Sequence, residues 1–257
     1  HYTEHLSPAG LAGLKLWPWY GSNYYNSATP LIDAGAKWDL VGDIASGGGN
    51  SFMYVKAAAG VSFAAGQLVS FATPTASTVT AAGSTKGKIV WAAGGLTINA
   101  EVGNVLYVAN STASGGGFTL RKIIANTATT ITVSDTDFNV ASKPLDQNAF
   151  EEIPTNADIA IIIRPYQVIV NTATTVPVGV ALGTVTAGYY TIVQTKGLGL
   201  ILGVGSGTAL EVNDPAVPTS GGAVIGSNGT LTAYAGPNII PQAAYAGASS
   251  LQPMLFN

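Results

Sequence analysis

The chain has 257 residues, of which only 9% are charged; Lys and Arg number 10 against 13 Asp and Glu, for a formal net charge of −3. That balance excludes a disordered chain, which needs high charge and low hydrophobicity, and argues against a partner such as nucleic acid, which calls for a basic excess. The absence of cysteine excludes disulfides, thiolate metal sites and cysteine nucleophiles.

Residues 1–50 hold Trp17, Trp19 and Trp38 together with Tyr20, Tyr24 and Tyr25. They show neither helical periodicity nor clean alternation, and Pro18 interrupts the apolar run Leu11–Leu16. The segment reads as an extended N-terminal arm with those six aromatics as candidate interface anchors. Aromatic anchors suit an arm that docks on a partner and equally one that wraps its own domain. Gly47-Gly48-Gly49 reads as a hinge.

From residue 51 the composition turns to short apolar runs separated by glycine turns. Strands are predicted at Ser51–Lys56, Gln67–Phe71, Ser77–Ala81, Lys88–Ala92, Leu96–Asn99, Asn104–Ala109, Phe118–Ile124 and Thr129–Ser134. Between 141 and 158 the alternation lapses among Pro144, Asp146, Glu151, Glu152, Pro154 and Asp158, which reads as a linker. Strands resume at Ile159–Ile163, Gln167–Val170, Val178–Leu182, Tyr189–Thr195, Gly197–Leu202, Ala209–Val212, Ala223–Ile225, Thr230–Tyr234 and Gln252–Phe256. The expected fold is all-β: an irregular arm (1–50), a first β-module (51–140), a linker (141–158) and a second β-module (159–257), each module a sandwich or barrel. A loose repeat, Gly before an alternating strand, recurs at Gly66, Gly103 and Gly188. It reads either as a true repeat or as the ordinary habit of β-rich chains.

The longest purely aliphatic run, Ile159–Ile163, stops at Arg164-Pro165, far short of the roughly 20 residues of a spanning helix, so no membrane partner is expected. No leader pattern is visible, and a chain starting at His1 reads as processed or as part of a longer product.

Few residues offer chemistry. His1 resembles the copper-binding histidine brace of lytic polysaccharide monooxygenases, which also pair a mature N-terminal His with a β-sandwich. The second imidazole would have to be His5, four residues on, where that family draws it from far along the chain. Asp135-Thr136-Asp137 with Asn139 resembles the start of a calcium loop but lacks the later Gly and closing Glu. Glu151 and Glu152 are adjacent, so in a strand they would point to opposite faces rather than act as paired carboxylates. The glycine run from Gly197 to Gly207 fits no phosphate loop. No Ser–His–acid set can be assembled when both His lie in the first five residues. The expectation is a protein that is not an enzyme, with no cofactor and no metal.

The stretch from Val178 to Gly197 (VGVALGTVTAGYYTIVQTKG), with Gly222-Ala223-Val224 and the terminal Leu251–Phe256, resembles capsid decoration (cement) proteins of tailed bacteriophages. Phe118–Val133 is similar to β-modules of phage virion proteins. The resemblance implies a virion protein on the outer surface of the capsid, bound to the major capsid protein, commonly as a trimer, with a final strand closing a barrel. Low charge agrees with a surface covered by other protein, because chains near zero net charge associate. The alternative from the residues is a secreted or surface β-sandwich binding carbohydrate, with N-terminal-His copper chemistry as its extension.

Overall fold

The computed structural model describes residues 26–29, 37–39, 50–109, 118–134, 149–150, 152–156, 158–204, 209–213, 215–226, 236–242, 244 and 249–257. Among them there is no helix, and the fold is all-β. The anchors Trp17, Trp19, Tyr20, Tyr24 and Tyr25, the Gly47–Gly49 hinge and the strand expected at Thr230–Tyr234 lie outside the described residues.

The chain divides into two compact units that are not the sequential modules expected. One comprises residues 1–72 and 166–257, the other residues 73–165. The cause lies in strand pairing. The strand nearest the start of the expected first module pairs with strands of the expected second, and Ile159–Ile163 pairs backward into residues 75–109.

The split unit contains β1 (Lys37–Asp39), β2 (Ser51–Ala57) and β3 (Leu68–Phe71) before the insertion. Among the described residues, seven strands between Thr75 and Ile163 belong to the inserted unit. After it come β11 (Gln167–Val170), β12 (Gly179–Ala181), β13 (Tyr190–Gly203), β14 (Ala216–Pro218), β15 (Val224–Gly226), β16 (Ile239–Pro241) and β17 (Ser250–Phe256). The order β2-β11-β3-β12-β13, with β13 returning to β2, closes a five-stranded barrel. Met53, Val55, Ala57, Val69, Val168, Ala181 and Val193 fill its interior with Phe63 and Val185. A barrel this narrow is packed with side chains and has no lumen.

β13 is where two expected strands, Tyr189–Thr195 and Gly197–Leu202, fuse into one. Its first part pairs with β2 and β12, and its second part, Gly197–Gly203, pairs with β17. From there β16, β14 and β15 lead back to Gly203, completing a second ring around Leu68, Val180, Ile201, Leu210, Ala216, Val224, Ile239, Met254 and Phe256. The final strand thus does close a ring. Between the two parts the register shifts at Gln194–Lys196. The buried Gln194 side chain spans this bulge, its Nε2 donating to Lys196 O (3.1 Å) and Leu198 O (3.0 Å). Gly197 has φ +102, and a Cβ there would collide with the Asn50 side chain, so the position demands glycine.

The inserted unit contains β4 (Thr75–Thr80), β5 (Lys88–Trp91), β6 (Val105–Ala109), β7 (Phe118–Lys122), β8 (Ala125–Asn126), β9 (Thr130–Thr132) and β10 (Ile159–Ile163). All pairings are antiparallel, in the order β7-β6-β10-β4-β5-β9-β8. Its two end strands are consecutive in sequence. Ile123 N–H reaches Asn104 O (2.8 Å) on one side, and Ile124 N–H reaches Thr132 O (2.9 Å) on the other. One bent segment therefore joins both ends of the sheet, which curls around Val79, Ile89, Trp91, Leu106, Val108, Ile123, Ile131, Val133, Ala160 and Ile162.

Three local expectations are corrected. Leu96–Asn99 is not a strand: Gly94, Gly95 and Asn99 take positive φ, and only Leu96 reaches the core. Ala209–Val212 forms no strand and ends in a turn at Asn213 (φ 65). The expected linker 141–158 contributes Phe150 to the core, and Asp158 is fully buried. β14 and β16 were not expected from the sequence because each is three residues long and ends in proline, which ordinarily demotes a strand.

β3 and β11 are antiparallel neighbours, and Ala72 N–H donates to Gln167 O (2.8 Å), so the insertion occupies the loop of a hairpin. Replacing residues 73–166 by Asn-Gly should leave a cooperatively folded β protein by circular dichroism and urea unfolding. Residues 73–165 alone should bury Trp91, their sole tryptophan, and its emission should shift to the red on unfolding; exposed-type emission in buffer would show that the insertion cannot fold alone.

Candidate functional site: interaction surfaces

Among the described residues, no three His, Cys, Asp or Glu side chains converge where they could hold a metal ion. Of the residues weighed for chemistry, His1, His5, Asp135, Asp137, Asn139 and Glu151 lie outside the described residues, and Glu152 is exposed. The glycine run begins as the second part of β13, so its glycines serve strand packing up to Gly203.

The polar groups that are buried serve the fold. Arg164, at the end of β10, forks onto Glu101, with Nη2 at 2.6 Å from Oε1 and Nε at 3.0 Å from Oε2. Its Nη1 donates to Thr75 Oγ1 (2.7 Å), and Asn104 Nδ2 donates to Glu101 Oε2 (2.7 Å). This planar, bidentate pair ties the turn before β6 to the first and last strands of the inserted unit. Asn126 acts similarly: Oδ1 accepts from Glu101 N–H (3.0 Å) and Nδ2 donates to Thr97 O (2.8 Å). In the split unit Asn171 gathers Ser70 and Thr175. Glu101→Ala would leave the Arg164 guanidinium without its acid in a mostly buried site, at a cost of about 3 kcal/mol. Chemical denaturation of the 73–165 unit followed through Trp91 measures it.

Two parts of the N-terminal arm are described, and both lie on the chain's own split unit. β1 pairs antiparallel with β2, placing Trp38 in register with Phe52. Upstream, Ser27 forms a bridge with Tyr190: Ser27 N–H donates to Tyr190 O (3.0 Å) and Tyr190 N–H to Ser27 O (2.7 Å). Asn26 adds two bonds, accepting from Thr186 N–H at Oδ1 (2.8 Å) and donating from Nδ2 to Thr186 Oγ1 (3.1 Å). Tyr190 is itself braced, stacked on buried Tyr54 with centroids 5.7 Å apart and with Lys56 Nζ 5.4 Å from its ring centre. The sequence marked the large aromatics of the arm. It gave no signal for Asn26 and Ser27, whose role is to complete backbone hydrogen bonds at a strand edge.

The energetics of this contact are close to balance. Bonds of this kind contribute about 0.5–1.5 kcal/mol each, so the contacts of Asn26 and Ser27 together give about 2–6 kcal/mol. Ordering Asn26–Thr29 costs about 1–2 kcal/mol per residue, or about 4–8 kcal/mol. Asn26, Ala28 and Thr29 are exposed and add little burial. The segment is a latch of marginal strength.

Burial raises the Tyr190 hydroxyl above its ordinary value of 10.0. A phenol raised on folding contributes stability that is present below pH 10 and lost as pH climbs through the folded value. Tyr190→Phe should therefore flatten the alkaline limb of the stability profile above pH 10, as read by urea midpoints across pH; an unchanged limb would show that Tyr190 does not carry it.

The third feature is apolar. Ala160 and Ile162 of β10 point into the core, while Ile159, Ile161 and Ile163 occupy the opposite face, Ile159 being 48% exposed. One register row across four strands reads Ala76, Ile161, Tyr107 and Leu120, the last 51% exposed. The split unit repeats the arrangement. Leu198, Leu200 and Leu202 of β13 stand opposite Leu255, Pro253 and Leu251 of β17, on the face away from Ile201, Met254 and Phe256. Leu198 is 57%, Leu200 48% and Leu251 41% exposed. An antiparallel sheet with one face in water alternates apolar and polar residues, and continuous apolar strands belong to sheets covered on both faces. β10 therefore carries the composition of a covered strand, and the outward residues of β13 and β17 from Leu198 to Leu202 and from Leu251 to Leu255 are apolar in the same way.

No family model, curated protein or solved structure matches the chain.

Proposed function

We propose that this is a structural virion protein that binds the outer surface of a phage capsid, contacts the major capsid protein and stabilises the shell as a homo-oligomer, most simply a trimer. The observation that carries this reading is the apolar outward face of β10 and of the paired strands β13 and β17, where Ile159, Leu198, Leu200 and Leu251 stand exposed among the described residues while the opposite face packs on a core. Exposed apolar faces mark protein interaction sites, and the described residues include two, on a chain with 9% charged residues. The packed barrel interior supports the same reading, because it leaves no internal ligand volume in the five-stranded ring. The resemblance of Val178–Gly197 to decoration proteins falls on β12 and the first part of β13, within that barrel.

The test is binding to purified capsid shells at a fixed ratio to the shell protein. A charge in the middle of either face, Ile161→Lys or Leu200→Lys, should weaken shell binding or self-association at least tenfold, with circular dichroism and the urea midpoint nearly unchanged because both side chains face away from the cores. A monodisperse monomer that ignores shells would end the proposal, and retention on immobilised polysaccharide by the same monomer would favour the carbohydrate-binding reading.

A further inference from the structure

We propose that Asn26–Thr29 is an exchangeable latch: where copies of the chain stand side by side, the Thr186–Tyr190 segment of one copy receives Asn26 and Ser27 of a second copy. The proposal rests on the reading of the chain as a multi-copy assembly protein and names the surface through which neighbours are joined.

The receptor is a strand edge with its donors and acceptors in place. Tyr190 pairs with Lys56 along one edge of β13, and on its other edge its N–H and C=O meet Ser27. Thr186 supplies a backbone N–H and a hydroxyl to the two ends of the Asn26 amide. When the latch opens, these four groups lose their partners together, and an open strand edge is a template for the next chain that can pair with it. Asn26 and Ser27 of a second copy have the same groups in the same order, so they restore all the bonds. The closed and exchanged forms thus contain equal hydrogen bonds at this site and differ chiefly in the effective concentration of the incoming segment. A dilute chain favours its own segment; copies crowded on a shell favour exchange. Tyr54 and Lys56 hold the Tyr190 ring in both forms, so the receptor needs no rearrangement.

The experiment uses the full chain, which has no cysteine of its own. Ala28→Cys and Ala187→Cys flank the contact and leave Asn26, Ser27, Thr186 and Tyr190 untouched. With a short bismaleimide, the double variant at low concentration should cross-link within one chain, which changes its mobility on a denaturing gel but not its mass class. A mixture of the two single variants should give no cross-link when dilute and a covalent pair when concentrated or bound to shells. Adding Asn26→Ala to the Ala28→Cys copy should lower the yield of that pair several-fold. No intrachain product in the double variant overturns the proposal, and so does a pair whose yield ignores Asn26→Ala, since random proximity would then explain it. Association seen by light scattering with no cross-linked pair removes the exchange and leaves the assembly reading standing; absence of both association and shell binding removes the two together.

Discussion

The architecture of the split unit depends on one strand. β13 is long enough to belong to two rings, and it can do so only because the register shifts between Gln194 and Lys196. A regular strand keeps its side chains alternating and its hydrogen bonds in one plane. A bulge adds a residue, bends the strand and increases its twist, which is how one strand leaves a closed barrel and enters another. The bulge leaves carbonyls pointing inward, and the Gln194 amide answers two of them. Among the described residues its buried Oε1 has no hydrogen-bond partner. Asn50 packs against Gly197 at the same point, so the residue that opens β2 also fixes the bend of β13.

Around that strand the glycines and prolines fall where close approach or termination requires them. Gly66 lies against the backbone of Leu200 and Leu202, with its carbonyl accepting from Leu202 N–H (2.8 Å). Pro218 and Pro241 end β14 and β16, the two strands that complete the second ring. The inserted unit closes by other means, a bent segment from β7 to β8 and the Arg164–Glu101 pair. In it, Arg121 lies over its own strand, donating to Ala149 O and Leu120 O, a charged side chain of the kind that blunts a strand edge.

The sequence made most strands legible, because alternation in runs such as Val105–Ala109 and Thr130–Thr132 is a local property and survives any topology. The order of the strands was not legible. Nothing local distinguishes Ile159–Ile163 as a partner of residues 75–109 from the same run as the start of a second module; the distinction is made by shape and packing across long separations. The fusion of two predicted strands into β13 was hidden for a similar reason, since Lys196 and Gly197 look like a turn until Gln194 is seen to cap the carbonyls there. At the candidate surfaces, Ile159–Ile163, Gly197–Leu202 and Gln252–Phe256 were legible as strands, but which of their residues face outward depends on the pairing and was not. The latch residues Asn26 and Ser27 are ordinary loop residues in sequence, and their significance appears only beside Thr186 and Tyr190.

The placement of residues 73–165 within the β3–β11 hairpin has a consequence for how the chain reaches this state. β2 and β3 are synthesised early, yet their partners β11, β12 and β13 arrive only after the whole insertion has been made. The barrel must therefore wait with β2 and β3 lacking their partners within it. The insertion, whose own pairings are all internal to residues 73–165, can fold during that wait. Because Thr75 is in register with Ile162, and Arg164 binds Thr75, its folding draws its two ends together. If the insertion folds first, loop closure between β3 and β11 precedes their pairing, and much of the entropy of joining distant segments is removed from the later step. An inserted unit that folds first would act as a clamp for the barrel that carries it, and a slow-folding insertion would then show itself as aggregation of the barrel strands, not of its own.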